Sequence, residues 1–125
     1  MVRRVTFLLD THVLLWWLGD SPRLSASHRE AIQGGDVVVS AVTVAELEIK
    51  ASMGKIEIPD DLNDVVEELG FGSLPFNSRH AVALRDLPFH HRDPFDRMLI
   101  SQAKVDGLTF LTVDEDCRRY DIATR

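Results

Sequence analysis

The sequence predicts an α/β protein, a three-layer α/β/α sandwich with a central, mostly parallel sheet. Two observations lead to this class. Short apolar runs rich in strand-forming residues recur along the chain, and segments with helical spacing or helix-capping residues separate them. The chain has 125 residues, which is the usual size of one domain, and it contains no repeat or linker-like tract. We therefore expect a single domain over residues 1–125.

The apolar runs give the predicted strands in chain order. Residues 5–9 and 37–39 are rich in Val, Leu and Phe and are short enough to be buried strands, and residues 108–113 form a third strand. The tail around Ile122 is predicted as a last edge strand. Residues 74–76 are too short to assign.

Capping residues, glycines and a proline mark the predicted helices between these strands. The predicted helices are one capped by Thr11 that ends before Gly19, one from Ser25 to about Gln33, one from Thr43 to about Met53, one from Asp60 to about Leu69, one from Ser78 to about Leu87, one from Pro94 that ends before Gly107, and a short one after Asp114. Residues 55–58 are interpreted as a linker and residues 89–93 as a polar loop.

Charge and cysteine content limit the functions that fit the chain. There are 14 Lys and Arg against 20 Asp and Glu, a net charge of −6, so a general nucleic-acid coat is disfavoured, whereas local attraction of RNA is not. Cys117 is the only cysteine, which suits a reducing compartment. Arg3 and Arg4 precede an apolar run that Asp10 and His12 interrupt. We therefore predict neither a membrane span nor a signal peptide, and expect a cytoplasmic protein.

Four acidic residues lie near the predicted carboxyl ends of strands. Asp10 and Asp114 each follow a strand, while Glu46 and Asp96 fall in the predicted first turn of a helix. Because ligands of open parallel sheets bind beyond the carboxyl ends of the strands, these four residues could gather at one edge. Gathered carboxylates repel each other, and a hard divalent cation such as Mg²⁺ or Mn²⁺ removes that repulsion. The set therefore predicts a metal site able to act on a phosphodiester.

Each of the four acids also has a structural interpretation, since an acid at a strand end or helix start often caps a helix. Thr43 and Glu46 match a capping box, and Glu46 could pair with Lys50 one turn later. Asp93 fits an N-cap better than a metal ligand. The other conspicuous side chains are also interpreted structurally: His12, Trp16 and Trp17 as packing residues, His90 and His91 as an exposed loop, and Cys117 as an inert thiol.

The acids lie in stretches that resemble the PIN-domain ribonucleases, and most of all the VapC-type toxins of bacterial and archaeal toxin–antitoxin modules. These stretches are FLLDTH at residues 7–12, SAVTVAEL at residues 40–47, HRDPFDRMLI at residues 91–100 and LTVD at residues 111–114. The resemblance covers nearly the whole chain. It implies a PIN fold, an acidic cleft that binds Mg²⁺ or Mn²⁺, a dimer, and a cognate antitoxin that blocks the site.

Matching these motifs residue by residue implies roles for single side chains. The implied catalytic and metal-binding acids are Asp10, Glu46, Asp96 and Asp114. The resemblance also gives Thr112 the role of a supporting hydroxyl. Asp116 follows in the same loop and is kept as a supporting carboxylate, as is Asp93.

The reaction expected of such a protein is metal-dependent hydrolysis of RNA. Arg92, Arg97 and Lys50 lie near the acidic motifs and are candidates for contacts with RNA phosphates, with solvated surface charge or pairing with neighbouring acids as the alternative. Two other functions stay open. Asp10 would suit a Mg²⁺-dependent phosphoryl-transfer protein, although His12 stands where aspartate-nucleophile phosphatases carry a second Asp. The other is a non-catalytic RNA- or protein-binding module on the same fold.

Overall fold

Four parallel strands form the central sheet of the computed structural model, which describes residues 5–125. The strands are β1 (Thr6–Leu9), β2 (Asp36–Ser40), β3 (Gly72–Leu74) and β4 (Thr109–Leu111). Their order across the sheet is β3-β2-β1-β4, and every neighbouring pair is parallel. The predicted α/β class with a mostly parallel sheet is confirmed. The basic pair Arg3 and Arg4 lies outside the described residues.

Helices connect the strands and cover the sheet. Within the described residues they are α1 (Thr11–Leu18), α2 (Ala26–Gly34), α3 (Ala41–Ser52), α4 (Leu62–Glu68), α5 (Ser78–Ala83) and α6 (Pro94–Asp106). Short 3₁₀ turns at Leu84–Asp86 and Cys117–Arg119 follow α5 and β4. Gly107 ends α6 with a φ of 67°, a left-handed conformation that glycine adopts without steric penalty. Over residues 5–125, no helix is long and apolar enough to cross a membrane.

Alternate residues of β1 point to opposite faces of the sheet, and each face packs against its own set of helices. Phe7 and Leu9 belong to a core cluster that includes buried residues of α1, α2 and α4. Leu8 belongs to a second cluster, which includes Leu99 and Ile100 of α6. The sheet is therefore the middle layer of three, with β1 and β2 at its centre.

Four helices begin at residues other than the predicted ones: α4 begins at Leu62 instead of Asp60, and the other three differ at their N-caps. The N-caps are Asp10 for α1, Ser40 for α3 and Asn77 for α5, in place of the predicted Thr11, Thr43 and Ser78. Each observed cap has an extended backbone and a side-chain oxygen that accepts an N–H of the first turn. Because α3 begins at Ala41, Glu46 lies in its second turn. The predicted capping box of Thr43 and Glu46 is therefore wrong.

The two edges of the sheet also differ from the sequence-based expectation. At one edge, β3 overlaps the segment that was too short to assign. At the other edge, the C-terminal tail lies beside β4, where Phe110 N–H donates to the carbonyl of Ala123 and Arg125 N–H donates to the carbonyl of Phe110. The expected edge strand near Ile122 is thus an isolated parallel bridge between Phe110 and Thr124. The short helix expected after Asp114 is the 3₁₀ turn Cys117–Arg119.

Candidate metal centre

Four acidic side chains from separate parts of the fold meet at one edge of the sheet. They are Asp10 directly after β1, Glu46 in α3, Asp96 in the first turn of α6 and Asp114 in the segment after β4. Their charges act on one another. Burial raises the pKa of Asp96 and the charges of Asp10 and Glu46 raise it further, while the charge of Asp114 adds to the raised pKa of buried Asp10. The structure therefore brings together all four acids that the sequence singled out.

The Asp10 side chain is almost fully buried, with 2% of its surface exposed. Thr112 donates its hydroxyl to Asp10 Oδ2 at 2.6 Å, and the His12 N–H donates to Oδ1 at 3.1 Å. Burial raises the pKa of Asp10, although both hydrogen bonds oppose that shift. The hydroxyl of Thr112 therefore holds the carboxylate in place by a direct contact.

Glu46 is buried and is held by two donors. The Thr11 hydroxyl donates to Oε1 at 2.8 Å, and Lys50 Nζ donates to Oε2 at 2.5 Å. The pair with Lys50 was expected from their spacing, whereas the contact with Thr11 joins α1 to α3 across 35 residues. One carboxylate oxygen of Glu46 thus has a neutral partner and the other has a cationic partner.

Asp96 has the most perturbed carboxyl group of the four. Burial, followed by the charges of Asp10 and Asp93, raises its pKa to about 7. Asp93 is the N-cap of α6, and its carboxylate accepts the N–H groups of Phe95 and Asp96. Asp93 is therefore engaged by the helix, as its capping interpretation expected, while its negative charge still acts on Asp96.

Asp114 lies in the loop after β4, and two hydrogen bonds from backbone N–H groups hold it in place. Its N–H donates to Thr112 Oγ1 at 3.0 Å, and its Oδ1 accepts the Asp116 N–H at 2.9 Å. Asp116 thus supports Asp114 through its amide. The Asp116 carboxylate lies 3.8 Å from Arg119 Nη1 instead.

His91 lies inside the acidic cluster, so its interpretation as an exposed loop residue is wrong. Its Nε2 is 2.9 Å from Asp114 Oδ2 and 3.1 Å from Asp96 Oδ2. Burial lowers the pKa of His91, but the hydrogen bond to Asp114 and the charges of Asp96 and Asp114 raise it more. The signal that could have revealed this residue was its place in the motif of Asp93 and Asp96, only a few residues before them.

The three basic candidates for RNA contacts have different surroundings. Arg97 is 7% exposed and donates to the backbone carbonyls of a preceding loop and to the Tyr120 hydroxyl, so its prediction as a phosphate contact is wrong. Arg92 is exposed. Lys50 is partly exposed, and its pKa is raised first by its hydrogen bond to Glu46 and then by the charges around it. Arg92 and Lys50 therefore remain available to an anion.

The donors fit a hard divalent cation. Burial, and after it the charges of neighbouring carboxylates, raises the pKa values of Asp10 and Asp96, and a cation bound through oxygen ligands would offset both effects. An overlapping set of possible ligand atoms, all within 4.8 Å of one another, comes from His91, Asp96, Asp114 and Cys117. Burial and the neighbouring carboxylates raise the pKa of the Cys117 thiol, so it stays protonated and is a poor ligand. The oxygen donors are therefore the ones suited to the ion.

Comparisons with known proteins found a matching family model, a relative similar in sequence and solved structures of similar fold. A family model of the PIN domain matches residues 7–123. Ribonuclease VapC22 of Mycobacterium tuberculosis is 30% identical over an alignment of 122 residues, and the match covers 92% of this chain and 92% of that one. Among solved structures, VapBC from Salmonella typhimurium bound to DNA has a TM-score of 0.69 at 20% identity and covers 97% of both chains. FitAcB from Neisseria gonorrhoeae has a TM-score of 0.64 at 26% identity and covers 94% of this chain and 95% of that one.

Proposed function

This chain belongs to the PIN-domain family, and we propose from that premise that it is a divalent-metal-dependent ribonuclease that hydrolyses RNA phosphodiester bonds. The observation that carries the proposal is the convergence of four carboxylates from four separate elements, two of them with raised pKa values. The helix-cap interpretation does not explain this convergence, because Glu46 and Asp96 are not the N-caps of α3 and α6. The name of the relative VapC22 adds the substrate class.

The proposed cofactor is Mg²⁺ or Mn²⁺, held by the acids that converge at the sheet edge: Asp10, Glu46, Asp96 and Asp114. When bound, such an ion would supply positive charge to stabilise the phosphodiester transition state and to activate a water molecule. The protein's part is to hold the carboxylates in a fixed arrangement. Thr112 fixes Asp10 and Thr11 fixes Glu46, so neither buried carboxylate has to be ordered when the ion arrives.

Phosphate contacts are proposed for the two accessible basic residues. Lys50 lies at the acidic cleft. The charges of Glu46, Asp93 and Asp96 all raise its pKa, which shows that these acids are close to it. Arg92 is next to Asp93 in sequence and is exposed. With a net charge of −6 on the whole chain, RNA would be attracted locally by these cations and by the bound metal.

We also propose that the chain is the toxin of a toxin–antitoxin pair, forms a homodimer and acts in the cytoplasm. Support comes from its similarity to VapC22 and to the VapBC and FitAcB structures. Co-expression with a candidate antitoxin, followed by affinity purification and light scattering, would test the partner and the dimer together. A monomer that retains no partner would contradict this part of the proposal.

The decisive experiment is RNA cleavage by purified, partner-free protein in Mn²⁺, Mg²⁺ or EDTA. Asp10→Asn should lose cleavage, because the neutral amide keeps the helix cap and the shape of the side chain but cannot supply the ligand charge. Asp121→Asn, an exposed acid away from the cluster, is the matched control and should cleave like the wild type. Equal cleavage by Asp10→Asn would refute the site assignment. If no RNA is cleaved and calorimetry detects no metal binding, the non-catalytic binding module becomes the better explanation.

A further inference from the structure

His91 is joined to two of the acids and, through its backbone, to the loop that carries it. We propose that His91 is a positioning residue whose Nε2–H group holds the carboxylates of Asp96 and Asp114 in a common arrangement, and that it is not a metal ligand. This inference rests on the proposed nuclease site. It concerns one side chain of that site, whose hydrogen bonds determine which of its two ring nitrogens carries the proton.

The first argument is the tautomer. The Asp93 N–H donates to His91 Nδ1 at 3.0 Å, so Nδ1 presents its lone pair to that amide. In the neutral ring, the proton must then be on Nε2. Nε2 faces Asp114 Oδ2 at 2.9 Å and Asp96 Oδ2 at 3.1 Å, two acceptors that require a donor. The hydrogen-bond partners of Nδ1 and of Nε2 therefore both favour the tautomer with the proton on Nε2.

The second argument is how firmly the ring is held. The His91 N–H donates to the Tyr120 hydroxyl at 3.0 Å. Arg97 Nη1 donates to the same hydroxyl at 3.1 Å and to the Pro88 carbonyl at 2.8 Å, and Arg97 Nη2 donates to the Leu87 carbonyl at 3.2 Å. A buried guanidinium thus ties α6 to the loop that precedes it. These contacts fix the backbone of His91 relative to α6, the helix that carries Asp96.

The third argument is the distribution of donors among the four acids. Asp10 and Glu46 are each fixed by a threonine hydroxyl. Asp96 and Asp114 come from different elements and are the more accessible pair, and His91 contacts both of them. Removing His91 would take this shared donor away from two like charges, and their separation could then increase.

A competing interpretation makes His91 a ligand, because its nitrogen lies within 4.8 Å of possible ligand atoms of Asp96, Asp114 and Cys117. A ligating Nε2 must be unprotonated, so the neutral ring would have to carry its proton on Nδ1. That proton would point at the Asp93 N–H across 3.0 Å, and two donors would oppose each other. The hydrogen-bond pattern therefore disfavours ligation.

Nitrogen NMR of ¹⁵N-histidine-labelled full-length protein tests the tautomer directly. In alkaline buffer, where the ring is neutral, we expect a protonated Nε2 and an unprotonated Nδ1 for His91, both without metal and with Mg²⁺. The assignment can be made with a His91→Gln sample, from which the signal disappears. An Nδ1–H tautomer in the metal-loaded protein would overturn the proposal.

Two substitutions separate positioning from packing. His91→Gln places an amide N–H near the position of Nε2, whereas the shorter side chain of His91→Asn does not reach it. Under metal saturation, we expect RNA cleavage by His91→Asn to fall about 10–100-fold, as is typical for residues that orient metal ligands, and His91→Gln to recover most of it. His90→Gln is the matched control: His90 packs edge-on against Tyr120 at 4.9 Å, and its substitution should leave cleavage unchanged. Equal loss in the Asn and Gln variants would refute the positioning role.

Metal affinity supplies a readout that does not depend on catalysis. A nitrogen ligand favours Mn²⁺ over Mg²⁺, so its removal would lower the ratio of the two affinities. Calorimetry of the wild type and His91→Gln should instead give the same Mn²⁺ to Mg²⁺ ratio. A lower ratio in the variant would establish His91 as a ligand and overturn the proposal. If the wild type cleaves no RNA, the tautomer and the ratio of Mn²⁺ to Mg²⁺ affinity still decide the role of His91. Failure of the proposed nuclease function can therefore be distinguished from failure of the His91 proposal.

Discussion

Neutralising one acid of the cluster should stabilise the metal-free protein at alkaline pH. The substitution is Asp96→Asn, which keeps the size of the side chain and an oxygen that can accept the His91 hydrogen bond. Burial and the charges of Asp10 and Asp93 raise the pKa of Asp96 from 3.8 to about 7. The folded protein therefore binds a proton that the unfolded chain has released between these two values. Stability must consequently fall as the pH rises through that window, and must be lowest above pH 7.

The size of this effect follows from the shift. A pKa change of roughly three units corresponds to about 4 kcal/mol if all of it acts on stability. The Asp96 side chain is 17% exposed, so water lessens both the desolvation and the repulsion, and we expect about 2 kcal/mol. Asp96→Asn should raise the free energy of unfolding by this amount at about pH 8, with little change below about pH 3, where the carboxyl group is protonated in both states.

Urea unfolding in EDTA at about pH 5 and about pH 8 measures this difference. The wild type should lose stability between the two conditions, while Asp96→Asn should lose distinctly less. Adding Mn²⁺ should restore the wild type at the higher pH, because a bound cation stabilises the folded state by mass action. Asp121→Asn is the exposed control and should follow the wild type. An Asp96→Asn variant that is less stable than the wild type at about pH 8 would refute the reasoning.

Three further predictions concern the supports of the site and the fold around it. In urea unfolding, Arg97→Ala should lower the free energy of unfolding by about 3 kcal/mol, because buried carbonyls lose their donor. Arg92→Ala should change this free energy by less than about 0.5 kcal/mol and should weaken RNA binding. Equal effects of the two substitutions on stability would contradict the burial of Arg97. Thr112→Val should destabilise the protein by about 2 kcal/mol by removing the hydroxyl that donates to Asp10, and Thr112→Ser should recover most of it. Gly107→Ala should lower the free energy of unfolding by about 1 kcal/mol, because an alanine is strained at the φ of 67° found there. Metal affinity, measured by calorimetry, should not change. A changed affinity would show that the C-terminus of α6 is coupled to the site.

The features that the sequence predicted correctly depend on local signals. The strands at residues 5–9 and 37–39 are short apolar runs that can be recognised locally. An acid that directly follows such a strand lies at the carboxyl edge of the sheet, and this placement does not depend on the rest of the fold. Asp93 and Pro94 mark the start of α6 by their own chemistry, because one side chain accepts N–H groups of the first turn and the other has no N–H to lose. The placement of Asp96 follows from that start.

The features that could not be predicted depend on contacts between distant segments. Arg97 has the sequence context of a surface cation, but it is buried by a loop that precedes α6 and by Tyr120, 23 residues further along the chain. The contact between His91 and Asp114 likewise joins two residues that are 23 positions apart in the sequence. β3 is only three residues long and begins at a glycine, so its strand character comes from its pairing with β2. No local periodicity could reveal these three arrangements, and only His91 had another signal, its place in the motif of Asp93 and Asp96.

Capping and metal binding are not exclusive interpretations of an acid at a strand end, and Asp10 shows why. Its Oδ1 accepts the N–H of His12 and starts α1, while its Oδ2 faces Thr112 from the neighbouring strand segment. The helix cap fixes the rotation of the carboxylate, so the same bond that supports the fold also orients the candidate ligand. Asp10→Asn should therefore separate the two roles, since asparagine is an equally good cap but has no negative charge. Asp10→Ala would remove both, and its loss of activity would not distinguish an unfolded helix start from a missing ligand.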